Sequence, residues 1–340
     1  MEVKLKHRTN SSELTVILRP FEDGDADDVI ACIRDEYGDT YFKRNFYNSE
    51  FLKKMHREGA ITFLVAQTDW GEIAGILALK SFYPAETMCE VASEIFRKKF
   101  RGYRLAEPML RYGLDIIAQG SYSAAYALPV TFHRITQQIL QNLGMTATGF
   151  IFSVFRTECM ESSYDYGGCQ KHSQGIQIMP MEKTDTGSLY LPEELTSIAE
   201  LIYSRLGVDY EICHAETSLK AKTRLYFTND TLHRNGTIML LRPGADLKLQ
   251  VDQVRARYQG VPLQTFNVFL NISDPAAPEA YRILKESGFF FTGFKPLCSE
   301  REYLVMHDAN GVAPHTEDYA LSNEFEELLD DISPFIKVRG

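Results

Sequence analysis

The densest run of chemically capable residues lies between Cys89 and Leu114, CEVASEIFRKKFRGYRLAEPMLRYGL. Two carboxylates, Glu90 and Glu94, fall in a stretch that reads as a strand ending at Phe96, and in an unbroken strand both project from one face. A basic turn follows, with Arg97, Lys98, Lys99, Arg101 and Arg104 around Gly102, and a helix starts at about Leu105. The free N–H groups and positive dipole end of a helix N-terminus bind phosphate, and an arginine grips a phosphate with two donors at once. A solvated surface loop would look the same by charge alone. In a chain of formal net charge -10, cations gathered in one turn point instead to an anionic ligand. Neither G-x-x-x-x-G-K-[ST] nor G-x-G-x-x-G occurs, so the nucleotide sites built on those loops are not expected.

The elements that must hold these groups follow from periodicity and turn residues. Leu14 to Pro20 reads as a strand and Ala26 to Glu36 as a helix capped by Asp25 or a neighbour. Residues 40–58, rich in aromatic and basic side chains, read as a second helix or a lid. Ile61 to Ala66 and Ile73 to Leu79 form a hairpin around Asp69-Trp70-Gly71. Then come a strand from Thr87 to Phe96, a helix from Leu105 to Ala118, a strand from Ala124 to Val130, a helix from Arg134 to Leu143 stopped by Gly144, and a strand from Thr146 to Phe155. An antiparallel front thus leads into a βαβ-like unit. The expected class is α/β (α+β), with a mixed, mostly antiparallel sheet flanked by helices.

Residues 157–175 are polar and read as a linker, so a second globular part would begin at Ile176. It offers a helix from Pro192 to Leu206, strands at Thr223–Thr228 and Thr237–Arg242, and a helix from Asp246 to Tyr258 capped by Asp246. A strand from Thr265 to Ile272, a helix from Pro278 to Glu286 and a strand from Phe289 to Phe294 complete it. After Asp308 comes a tail with an acidic amphipathic helix near Ser322 to Ile332. With an offset of 144 residues, Ile139-Leu140 overlays Ile283-Leu284, Gly144 overlays Gly288, Thr148 overlays Thr292, and Gly149-Phe150 overlays Gly293-Phe294. Glycine stops are common enough to produce part of this by chance. The matching helix and strand around them favour a duplicated fold.

The loop Arg101-Gly102-Tyr103-Arg104-Leu105-Ala106 resembles the R/Q-x-x-G-x-G/A motif of the GNAT superfamily of acyl-CoA-dependent N-acetyltransferases, which wraps the CoA pyrophosphate at a helix N-terminus. Arg101 takes its first position and Ala106 its last, while Arg104 stands where the family usually has glycine, to crowd the pyrophosphate or bind it. Ile17-Leu18-Arg19-Pro20-Phe21 through Asp25 is similar to the family's first strand and helix cap. The segment ending in Leu143-Gly144-Met145 is similar to its N-x-x-A-x-x-x-Y-x-x-x-GF helix, with His133, Thr136, Leu140 and Met145 at the asparagine, alanine, tyrosine and phenylalanine positions. The resemblance covers about residues 12–156. It implies a GNAT-like acetyl-CoA-binding domain at 1–156, the linker at 157–175, a second, degenerate GNAT-like domain at 176–308 whose loop around Asp246 to Leu249 lacks the motif and the basic cluster, and the tail at 309–340. It also implies acetyl-CoA as co-substrate, no metal, and transfer to an amine of a small molecule or protein. The alternative is a GNAT-like protein that senses acyl-CoA without turnover or only assembles with a partner.

Acetyl transfer to an amine needs a general base, donors for the developing oxyanion and an acid for the departing thiolate. On the resemblance, Ile95 and Phe96 present backbone N–H groups to the acetyl carbonyl. Arg101, Gly102, Tyr103, Arg104, Leu105 and Ala106 hold CoA, and Glu90 is the base, directly or through water, with Glu94 beside it. A solvent-facing carboxylate is the competing reading of Glu90. Leu140 replaces the family's acid tyrosine, so Tyr126 or His133 would have to substitute; His133 could equally be a helix-cap histidine contacting CoA. The aromatic and basic residues 41–54 either line the acceptor site, favouring an aromatic or acidic substrate, or belong to the core.

Composition sets the outer limits. The 340 residues, 44% hydrophobic and 24% charged, suit about two globular domains. With 36 basic against 46 acidic side chains, no nucleic-acid partner is expected. No apolar run suits a membrane span, and Met1-Glu2-Val3-Lys4-Leu5-Lys6 is no secretory start. The six cysteines, Cys32, Cys89, Cys159, Cys169, Cys213 and Cys298, form no CxxC pair and read as reduced thiols of a cytoplasmic protein. Cys159, Cys169, His172, Cys213 and His214 match no standard zinc spacing. A monomer or homodimer is expected.

Overall fold

The computed structural model describes residues 1–81, 87–159, 169–181, 187–214, 218–298, 301–310 and 312–336. Strands β1 (Glu2–Lys6) and β2 (Glu13–Pro20) lead into helices α1 (Ala26–Tyr37) and α2 (Ser49–Arg57). Strands β3 (Ile61–Thr68), β4 (Ile73–Lys80) and β5 (Met88–Phe96) follow. Then come α3 (Ala106–Ala118), β6 (Ala124–Ala127), α4 (Ile135–Asn142), β7 (Thr146–Arg156) and β8 (Lys171–Pro180). The remainder runs β9 (Gly187–Tyr190), α5 (Thr196–Leu206), β10 (Tyr210–Cys213), β11 (Arg224–Asp230), β12 (Asn235–Arg242), α6 (Leu247–Ala256), β13 (Thr265–Asn271), α7 (Ala277–Glu286), β14 (Phe290–Cys298), β15 (Arg301–Asp308) and α8 (Asn323–Ile332).

Thirteen strands form one mixed, mostly antiparallel sheet in the order β1-β2-β3-β4-β5-β6-β8-β7-β14-β15-β13-β12-β11, and β9 and β10 pair separately. Helices flank it, as expected. The periodic helices bury their predicted stripes: Val29, Ile30 and Ile33 on α1, and Met109, Leu110, Leu114 and Ile117 on α3. Leu77 and Leu79 of β4 pack with α3, whereas Ile76 and Ala78 pack with α1 and α2. Among the described residues, no helix is long and apolar enough to cross a membrane.

The expected linker is corrected in part. Residues 160–168 of it lie outside the described residues, but Lys171 to Gly175 open β8, which inserts antiparallel between β6 and β7. The chain through Pro180 therefore belongs to the sheet of the first half, and no second part begins at Ile176. Polar residues hid the strand. Lys171, His172, Ser173 and Gln177 are all buried, so β8 shows neither a clean alternation nor an apolar run.

The halves meet where β7 pairs with β14, Gly149 opposite Gly293. The Thr148 hydroxyl donates to Phe294 O at 2.8 Å, and the Thr292 hydroxyl donates to Phe150 O at 2.8 Å. Residues that overlay at the 144-residue offset thus make reciprocal bonds. A Cβ on Gly293 would lie 2.2 Å from the Gly149 Cα, so the seam requires glycine at both places. The tail helix α8 closes back on the first half. Glu324 accepts from Ala147 N at 2.8 Å, and the Phe325 ring fills the space a side chain at Gly175 would need.

Candidate active site

The site originates in a bulge. Ile76 opposes Ile95 and Ala78 opposes Ala92, which leaves Ser93 and Glu94 together across from Leu77. Ser93 takes φ 53°, the left-handed conformation that such an extra residue often needs. Two consequences follow. First, the side-chain alternation slips, so Glu90 and Glu94 do not share a face as expected: Glu90 bonds Lys80 on the α1/α2 side, while Glu94 hydrogen-bonds Thr136 of α4. Second, pairing of β5 with β6 stops after four residue pairs, at Val91 with Ala127. Beyond that point the strands part around a cleft of about 370 Å³ that both carboxylates line.

Glu90 is buried among cations. Lys80 Nζ lies 2.8 Å from its Oε2, and the Tyr126 hydroxyl donates to the same oxygen at 3.0 Å. Burial pushes the carboxyl up, but the ammonium groups of Lys80 and Lys43, the Lys80 hydrogen bond and Lys295 outweigh it and hold Glu90 below its ordinary range. It is therefore neither solvent-facing nor easily protonated. Lys43, from the segment between α1 and α2, donates to Ser93 Oγ at 2.6 Å. Burial, then the neighbouring Lys80, lowers its pKa to about 7. Lys295 reaches across from β14 and stands 3.9 Å from the Tyr126 ring centre.

Glu94 is the opposite case. Burial raises it to about 8, against only a hydrogen bond from Thr136, and its buried Oε1 has no partner among the described residues. Leu140 is buried on α4 and lines the same cleft. His133 also lines it, and burial drops its pKa to about 4, so it is a neutral imidazole. Tyr126 does not line the cleft; it stands behind Glu90 and orients it.

The basic loop lies at the end of β5. Arg101 is ion-paired with Glu36, Lys99 with Glu72 at 2.6 Å, and Arg97 approaches Glu72 and Asp28 at 3.6 Å. Much of the expected positive charge is thus matched by carboxylates. Arg104 has no carboxylate partner among the described residues. Its φ of 58° is left-handed, a conformation that favours glycine. Gly102, at φ 92°, has no room for a side chain because the His7 ring fills that space. Ile95 and Leu105 bury their side chains in the core, so only their backbone can meet a ligand; Phe96, Tyr103 and Ala106 are half-buried.

Lys80, Ser93 and Lys295 escaped sequence reasoning. Lys80 is visible only through the strand register, and Lys295 only through the seam. Of the stretch at 41–54, Tyr41, Phe42 and Lys43 line the cleft, while Phe46 and Leu52 are core. Around the zinc-like set, Cys169 is buried beside Lys171, whereas His214 bonds Leu191 O at 3.0 Å.

Neither a family model nor a curated protein matches the sequence. Solved structures do resemble it over about half its length. An N-acetyltransferase from Staphylococcus aureus is 14% identical and covers 49% of this chain and 99% of its own, with a TM-score of 0.40. A GNAT-superfamily phosphinothricin acetyltransferase from Sinorhizobium meliloti, in complex with acetyl-CoA, is 13% identical over 48% of this chain and 88% of its own, TM-score 0.39. A spermidine N-acetyltransferase chimera of Vibrio cholerae is 16% identical over 49% and 96%, TM-score 0.38.

Proposed function

We propose that the protein is an acyl-CoA-dependent N-acetyltransferase whose working site lies in the first half, with acetyl-CoA as co-substrate. The observation that carries this reading is the opening of β5 from β6 at the Ser93 bulge, which sets two unlike carboxylates beside a basic loop at a helix N-terminus. The residues present suit a thioester co-substrate. The loop from Arg101 to Ala106 turns twice through positive φ before α3, and the cleft holds an unpartnered carboxyl oxygen. Arg104 and the α3 N-terminus would hold the pyrophosphate, and backbone N–H groups near Ile95 and Phe96 would face the acyl carbonyl.

The unlike environments assign unlike roles. Glu94, protonated through neutral pH, is the general acid for the thiolate, on the α4 side where Leu140 has replaced the family's tyrosine. A pKa near 8 suits that proton transfer. Glu90, kept ionised, attracts the acceptor ammonium and orders the water through which its proton leaves to solvent, and Tyr126 is its positioning residue. The second half, a degenerate copy, contributes Lys295. A protein that binds acyl-CoA without turnover is the second reading, drawn from Leu140. Incubation with acetyl-CoA and a panel of amines, read by free thiol, decides between them. We expect thiol release with at least one class of amine; none above background, despite measurable CoA binding, would overturn the transferase reading.

A further inference from the structure

Building on the transferase reading, we propose that the acceptor is an amine that also carries an anionic group, a carboxylate or phosphate, recognised by Lys43 with Lys80 and Lys295 behind it. The argument is a charge count over every element that packs around the acceptor side of the cleft. The α1–α2 segment brings Lys43, β4 brings Lys80 and β14 brings Lys295. Against these basic groups, of which Lys43 with a pKa of about 7 is half protonated at neutral pH, β5 brings Glu90, held ionised and already bonded to Lys80. Glu94 stands on the far side of the sheet and is largely protonated, and His133 before α4 is neutral.

Among the described residues, Lys43 has no carboxylate partner, and its ammonium donates to Ser93 Oγ and stands over the faces of Phe42 and Phe46. The carboxylate that acts on it is Glu90, which Lys80 already holds; a buried ammonium that must share its counter-charge is costly, and one anionic group on the ligand lowers that cost. A polyamine would instead add positive charge to a site of low dielectric that already has an excess. The acceptor's own ammonium goes to Glu90, so the complementary ligand carries both charges, as an amino acid or a phosphorylated amine does. Tyr37, Tyr41 and Phe42 supply an apolar wall for the part between them.

Binding to the CoA-saturated protein tests the charge rule separately from catalysis. Glutamate, phosphoserine and phosphoethanolamine serve as anionic amines, tyramine as an amine without an anionic group, and spermidine as a polycation, each titrated calorimetrically. At least one anionic amine should bind more than about tenfold tighter than spermidine or tyramine. Lys43→Met should weaken that binding about thirtyfold and, because it removes a cation beside Glu90, should not weaken tyramine; Lys295→Met, distant from the β5 bulge, should weaken the anionic amine less. Tighter binding of spermidine or tyramine, no binding of any anionic amine, or indifference of the anionic amine to both substitutions would overturn the proposal. Selective binding of anionic amines without thiol release would leave it standing and overturn the transferase reading alone.

Discussion

The two halves share a strand order, β4-β5-β6-β8-β7 on one side of the seam and β11-β12-β13-β15-β14 on the other, yet only one of them opens. β5 leaves β6 after four residue pairs, whereas β12 stays paired with β13 for six, from Asn235–Thr265 to Leu240–Leu270. Asn271 then ties the strands once more, donating to Leu241 O at 3.0 Å. The register can be followed outward from the seam. Thr146, Ile178, Tyr126, Glu90 and Lys80 stand side by side in the first half. Phe290, His307, Asn267, Thr237 and Thr228 do so in the second. Where the first half has the ion pair and its tyrosine, the second has two threonines and an asparagine, and Asn267 hydrogen-bonds neutral neighbours, His307 and Asn235, at 3.0 Å each. One bulge, not the fold, therefore separates a cleft from a closed sheet.

The helix entries differ in the same sense. Residues 97–105 make a long basic loop before α3, while residues 243–246 alone precede α6. Asp246 sits at that second entry. It makes no side-chain cap to the helix, contrary to expectation, and instead accepts from Thr223 N at 2.7 Å. That bond holds its carboxyl at about 2, so a fixed negative charge occupies the place where a phosphate would have to bind.

Breaking the seam should have the largest effect. Gly293→Ala forces a Cβ to within 2.2 Å of the Gly149 backbone, at φ 136°, and should cost about 4 kcal/mol or more. Chemical denaturation should show both halves losing stability together. Gly207→Ala, at φ 67° with open space around it, should cost only about 1 kcal/mol, which separates the close approach from the positive φ. Next comes the site. Glu94→Gln should lower kcat about a hundredfold or more, near 3 kcal/mol, with little change in CoA affinity. In wild type kcat should fall as pH rises through about 8, and that limb should vanish in the variant. A variant with wild-type kcat and an unchanged limb would remove Glu94 from the acid role.

Much of this architecture was legible in the sequence. The periodic helices and the hairpin follow from local pattern, and the residues that overlay at the 144-residue offset include the two glycines of the seam. The site was legible in its parts but not in its arrangement. Glu90, Glu94 and the basic loop stand out by residue type, while the bulge that puts the carboxylates on opposite faces rests on Ser93 adopting φ 53°, and serine announces no such turn. β8 stayed hidden because its own residues include buried polar groups, and Lys295 because it reaches the Tyr126 ring behind Glu90 from another half.

Each half also buries one carboxyl with its pKa raised to about 8, Glu94 in the open cleft and Glu302 in the closed core. Glu302 is satisfied there, accepting from Leu297 N at 3.0 Å and bonded to the Tyr203 hydroxyl at 2.7 Å. A carboxyl protonated in the native state but ionised in the unfolded chain destabilises as pH rises. Between about 4.5 and 8 the unfolded state binds fewer protons, and stability falls by up to about 1.4 kcal/mol per pH unit for each such group. Glu302→Gln, which mimics the protonated form, should flatten part of that decline in denaturation midpoints from pH 5 to 9. An unaltered slope would mean that Glu302 is ionised in the folded protein.

The smallest change probes the loop that the second half has lost. Arg104→Gly places a glycine at φ 58°, where a non-glycine residue costs about 1 kcal/mol, so stability should rise by roughly that amount. Arg97, Lys99 and Arg101 spend charge on Asp28, Glu72 and Glu36, which leaves Arg104 as the guanidinium best placed for a phosphate. The same substitution should therefore weaken CoA binding, by about tenfold. Stability and affinity moving in opposite directions would show that the strained arginine is kept for its ligand. Unchanged affinity in a more stable protein would mean that the backbone turn and the helix N-terminus suffice, and that the two halves differ in loop length rather than in charge.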